Sequence, residues 1–142
     1  MAASESPTNR LSQLMLEFYE KMASWEHSVV KQTGLSPAQM HAIEMIGHHP
    51  NLRMKELASR MGITTGTLTV MIDRLEKFKL VTRQPHARDR RSFNIVLTPK
   101  GRQHFKEHHQ LHLALTREIT ASLSDEEMRQ FEKSLMKTME RF

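Results

Sequence analysis

The stretch MKELASRMGITTGTLTVMIDRLEKFKLV, residues 54–81, constrains this chain most, because its only natural break is a glycine between two short amphipathic segments. The spacing predicts a first helix from about Lys55, a turn at Gly62, and a second helix capped by Thr64 and running to about Lys79. Ala58 is small enough to let the two helices pack closely, and Ile63, Leu68, Ile72 and Leu75 hold the second against a core. Its first turns display Thr64, Thr65, Gly66, Thr67 and Thr69 instead. Small hydroxyls at a helix N-terminus suit phosphate and base-edge contact, because the free amides and the helix dipole there favour an anion. Paired helices around such a turn form a helix-turn-helix, whose second helix enters the major groove.

The following residues change period. LVTRQ and SFNIVLT each read as a strand, the latter with Phe93, Ile95 and Leu97 facing inward and Asn94 and Val96 outward. PHARDRR between them is too polar to bury and puts Arg88, Arg90 and Arg91 at a hairpin tip. An arginine-tipped ribbon after a helix-turn-helix is a winged helix, and arginine suits the narrow, negative minor groove.

Charge supports a polyanionic partner. Residues 53–106 hold thirteen Lys and Arg against four acids (Glu56, Asp73, Glu76 and Asp89), while the rest of the chain has eight bases and twelve acids. The 142 residues fit one domain. The absence of cysteine excludes disulfides, thiolate metal ligands and thiol redox sensing. No apolar run is long enough to span a membrane and no signal-peptide pattern opens the chain, so a soluble, cytoplasmic protein is expected. No phosphate-cradling glycine loop, nucleophile elbow or frame of paired carboxylates marks an enzyme.

The flanks are helical. Leu11, Met15, Phe18, Met22, Trp25 and Val29 alternate four- and three-residue spacings and lie on one face. Gly34 stops that helix, and LSPAQM starts the next, with Ser36 as cap, Pro37 in the first position and Gln39 completing a capping box. LSDEEM repeats the device at Ser124 and Glu127, and Met128, Phe131, Leu135, Met139 and Phe142 form the last apolar face. Such stripes leave surface that a short chain can hardly cover alone, so a two-fold dimer is expected.

With these elements in place, the chain resembles the MarR family of winged-helix transcriptional regulators over nearly its whole length. ELASRMGITTGTLTVMIDRLEKFKLV is similar to the family's helix-turn-helix. DRRSFNIVLTPKG fits its wing signature through Asp89, Arg91, Ile95, Leu97, Thr98 and Gly101. The resemblance implies a mainly α fold with a small β-hairpin. Residues 35–98 would form the winged helix-turn-helix lobe, and 8–33 with 99–142 the helical dimerisation region. It also implies a homodimeric repressor on a palindromic double-stranded operator, modulated by an effector in the cleft between dimer region and DNA lobe, with no required cofactor. Arg91 would be the minor-groove arginine, oriented by the Asp89 carboxylate and flanked by Arg88 and Arg90. Thr65, Thr67 and Thr69 would meet the groove, beside Thr64, Gly66 and Arg74.

Thr98 and Pro99 start a long helix whose seam reads Phe105, His108, His112, Leu115 and Ile119, with His109 pointing away. Two histidines at i and i+4 can converge on one metal ion, yet residue 109 is not the glutamate of a zinc hydrolase motif. Glu26, His27, His41 and Glu44 are available as further ligands. His41, His108 and His112 are similar to the histidines of the family's zinc-sensing branch. That branch implies zinc or another divalent ion as effector, with Glu26 as the carboxylate, although Glu26 falls closer to LSPAQMH than its pattern. Small-molecule sensing, protonation, or plain polar seam residues remain open, as does a metal-binding helical interaction or storage protein without specific DNA binding.

Overall fold

The computed structural model describes residues 6–89 and 91–142. Arg90 lies outside the described residues. Eight elements follow one another: α1 (Pro7–Lys31), α2 (Pro37–His48), α3 (Met54–Met61), α4 (Thr65–Lys77), β1 (Val81–Pro85), β2 (Phe93–Leu97), α5 (Pro99–Ile119) and α6 (Asp125–Met139). They divide into two units, one reaching to Arg102 and one spanning Gln103–Phe142.

In the first unit the sequence signals act where they were expected. Ser36 Oγ accepts from the Gln39 amide at 3.1 Å while Gln39 Oε1 accepts from the Ser36 amide at 2.9 Å, so α2 begins with a closed capping box. Gly62, at φ 66°, ends α3 in the left-handed region and lets the amide of Ile63 reach the carbonyl of Ala58. Thr64 Oγ1 then caps α4 by accepting from the Thr67 amide at 3.1 Å. Helix α3 packs against both α4 and α2, and Leu57, Leu68, Ile72 and Leu75 are wholly buried. Each contributes about 1.5–3 kcal/mol of transfer free energy.

The hairpin is antiparallel, pairing Val81 with Leu97 and Pro85 with Phe93. Its free edge is extended by the segment before α3, where Arg53 bridges Asn94 and the Ile95 amide donates to Leu52. Ile95 and Leu97 face the core as the alternation predicts, but Phe93 is 44% exposed. Phe93 pairs with Pro85 at the outer end of the ribbon, where the sheet has already left the helices.

Helix α4 ends two residues earlier than the pattern suggests. Lys79 takes φ 61°, its amide bonds to Glu76, and the Leu80 amide bonds back to Leu75. This is a Schellman turn built without glycine. The start of α5 sits on it: Thr98 Oγ1 donates to the Lys79 carbonyl at 2.6 Å, the Thr98 amide to Leu80, and Lys100 Nζ to Phe78 at 3.1 Å. Thr98 Oγ1 also accepts from the Gly101 amide at 3.0 Å, capping α5.

The stripe of α1 is uneven. Met22, Trp25 and Val29 are half-buried and Val30 is buried, whereas Leu11, Met15 and Phe18 are at least half exposed. In the second unit, α6 begins with its own capping box at Ser124 and Glu127 and has no buried residue. Along α5, His108 is buried, His112 half-buried and His109 exposed, as the seam predicts, while Ile119 is exposed. No helix among the described residues is long and apolar enough to cross a membrane.

Gly101 packs directly against backbone. A Cβ there would lie 1.9 Å from the Leu80 carbonyl oxygen. Gly101→Ala should therefore destabilise the fold by about 1–3 kcal/mol or more, as overpacking against backbone does, read as a lowered denaturant midpoint.

Candidate functional site

The first unit carries two exposed, polar elements side by side in sequence and held by one core. Thr64, Thr65, Gly66, Thr67, Thr69 and Arg74 are all exposed on α4. Their hydroxyls are not equivalent. Thr64 Oγ1 donates to Thr67 Oγ1 at 3.0 Å, and Thr69 Oγ1 donates back to the Thr65 carbonyl at 2.8 Å. Between α4 and the start of α2 runs an open groove of about 340 Å³ lined by Ser36, Gln39, Thr67, Val70, Met71 and Arg74. Val70, 56% exposed, puts an isopropyl group between the threonines and Arg74.

The second element is the hairpin tip. Arg88, Asp89 and Arg91 are exposed there. The Asp89 carboxylate accepts from the Arg91 backbone amide at 3.0 Å and from Ser92 Oγ at 2.9 Å. These two bonds, the backbone one first, hold its pKa below the ordinary carboxylate value, with Arg53 and His86 adding smaller attractions. Asp89 thus sets the turn through the main chain of Arg91. Arg53 Nη2 lies 3.2 Å from His86 Nε2, tying the tip's first residue to the edge segment.

Sequence reasoning missed Arg83 in β1. Its guanidinium takes both carboxylates of α4, Nη2 reaching Asp73 Oδ1 at 2.7 Å and Nη1 bonding Glu76, while its own amide donates to Glu76 Oε1 at 3.2 Å. Asp73 and Glu76, one helical turn apart in a basic segment, were the available signal.

Residues 35–93 match the MarR family. The chain is 32% identical over 109 residues to the HTH-type transcriptional regulator YsmB of Bacillus subtilis, covering 77% of this chain and 75% of that one. The chain belongs to the MarR family. The HTH-type transcriptional repressor MdtR of Bacillus subtilis is also 32% identical, over 71% of this chain and 65% of its own length. The structure of Streptococcus pneumoniae FabT in complex with DNA superposes with a TM-score of 0.84 at 24% identity, covering 94% of this chain and 95% of that one. As a MarR-family member with this winged helix, the protein is a DNA-binding transcriptional regulator and not an enzyme.

The candidate metal ligands fall in both units. His108 and His112, in the second, bring their Nε2 atoms to 3.1 Å with the rings edge to face. Two nitrogens at about 2.0–2.1 Å from a tetrahedral zinc are roughly 3.3 Å apart, so this pair has a suitable bite and suitable chemistry. His41 is exposed on α2, and Glu26 is half-buried on α1, both in the first unit. There Glu44, which sequence reasoning named with them, has its pKa raised to about 7, by burial first and then by the Glu26 charge.

A carboxyl whose folded pKa exceeds its unfolded value penalises the fold fully above the former and not at all below the latter. In chelator-treated protein, Glu44→Gln should accordingly raise the thermal midpoint at about pH 8. The gain should shrink as the pH falls through 7 and vanish below 4.5.

Proposed function

We propose that this protein is a sequence-specific repressor that binds a palindromic double-stranded operator as a homodimer. The observation that carries the reading is the pairing of an exposed threonine face on α4 with an exposed arginine hairpin on the same core. The first suits the major groove and the second the minor groove beside it. FabT, a fold relative, is recorded in complex with DNA, and MdtR is a repressor. Within this reading residues 35–98 form the DNA lobe. The 8–33 and 99–142 helices cover their exposed apolar residues, such as Phe18 and Phe131, against a second copy. Two α4 helices would then meet successive major grooves roughly 34–36 Å apart.

Fluorescence anisotropy with a duplex from the upstream region of its own gene tests this. Affinity should fall steeply with salt, and salt-independent binding would count against the reading. Arg91→Ala should cost about 1–3 kcal/mol of operator binding, whereas Lys31→Ala should leave it nearly unchanged. Equal losses would refute the wing assignment.

A regulatory metal is the effector reading that the His108–His112 geometry supports. Zinc or another divalent ion would take these two imidazoles. When bound, the ion supplies a fixed charge and a fixed ligand geometry, and it raises operator affinity only as far as it prefers the DNA-competent form. Metal analysis of the purified protein, with anisotropy repeated in chelator, decides it. A stoichiometric ion whose removal weakens operator binding at least fivefold, the lower end of about 1–3 kcal/mol of coupling, is expected. No ion and unchanged affinity would end the metal reading, as would retention of stoichiometric metal by His108→Ala/His112→Ala.

A further inference from the structure

The wing is useful only if its tip arrives at the minor groove when α4 is seated in the major groove, and one side chain spans that angle. Arg83 leaves β1 three residues before the tip begins at His86 and is gripped by Asp73 and Glu76 of α4. Its amide is held by Glu76 as well, so both the main chain and the side chain of the strand are referenced to the helix. Asp73 and Glu76 lie on the helix whose opening turns carry Thr65, Thr67 and Thr69. The Asp73 side chain is 52% exposed and that of Glu76 32%, against 25% for Arg83. Ion pairs this wet add little to stability. A planar fork held at two points on a helix instead restricts direction.

We infer that Arg83, clamped by Asp73 and Glu76, is a positioning residue for DNA recognition: it sets the wing at the angle to α4 that both grooves require, without itself touching DNA. The inference rests on the DNA-binding reading above. It carries an electrostatic signature, because the two carboxylates are negative charges on a helix meant to approach phosphate. By charge alone, Asp73→Asn with Glu76→Gln should tighten binding. If the carboxylates instead aim the wing, the same change should weaken it.

The test uses full-length protein and a duplex that the wild-type protein itself selects from a random-sequence pool, with affinity read by anisotropy and folding by thermal midpoint. Asp73→Asn/Glu76→Gln and Arg83→Gln should each lose about tenfold in affinity with nearly unchanged midpoints. Arg83→Lys, which keeps the charge but not the fork, should fall between Arg83→Gln and wild type. In an Arg91→Ala background the Arg83→Gln loss should shrink below about twofold, since a wing without its arginine gains nothing from being aimed. Tighter or unchanged binding by the double carboxylate variant would overturn the inference. So would full additivity of Arg83→Gln with Arg91→Ala. Should Arg83→Gln lower the midpoint strongly, Arg83→Lys and the carboxylate pair still decide it. Failure of the wild-type protein to select any duplex would instead refute DNA recognition itself.

Discussion

The carbonyl of Leu80 ties the end of the hairpin back to its beginning. It stands where α4 has ended and β1 has begun, and it accepts from Thr98, the residue that opens α5. Three carbonyls in a row just past the end of α4, those of Phe78, Lys79 and Leu80, each accept a hydrogen bond from the start of α5. The residues that take them, Thr98 and Lys100, follow directly on β2. The hairpin thus departs from and returns to one point, and the strands need only five residues each to do so. Closeness is possible because residue 101 has no side chain to intrude.

The few negative charges of the basic segment are all occupied in holding shape. Glu56 accepts from the Arg53 amide at 3.0 Å at the start of α3, Asp89 closes the hairpin turn, and Asp73 and Glu76 hold Arg83. None is spare, and each acts on a short loop or joint that the apolar core does not reach. Hydrophobic burial is non-directional and stops at the foot of the hairpin, with Ile95 and Leu97. Beyond it, direction comes from carboxylates.

Most of the fold was legible because the signals are local. Capping boxes at Ser36 and Ser124, Thr64 before α4 and Gly62 after α3 depend on residues three or four apart, and a sequence displays these directly. Lys79 was not legible: a lysine in a left-handed turn is favoured only by its neighbours' bonds, and helical periodicity ran past it. Phe93 misled for the opposite reason, since alternation shows which face a residue shares but not where along a ribbon the core ends. The threonine face and the arginine tip could be named from composition and order. The grip of Arg83 could not, because it joins residues seven and ten positions apart across a change from helix to strand. The i, i+4 histidines were visible as a pair because one helix carries both.

The hydroxyl bonds of α4 also decide what kind of surface the helix presents. A hydroxyl has one hydrogen to give and two lone pairs to offer. Thr64 and Thr69 have already given theirs inward, to Thr67 and to the Thr65 carbonyl. Thr69 is left with lone pairs and a methyl, and Val70 beside it has methyls alone. At residues 69 and 70 the helix therefore offers lone pairs and methyls, while Thr67 and Arg74 keep hydrogens to donate. Within the DNA-binding reading, Thr69 and Val70 would complement amino hydrogens and thymine methyls, and Thr67 and Arg74 the bare acceptors that guanine presents with N7 and O6.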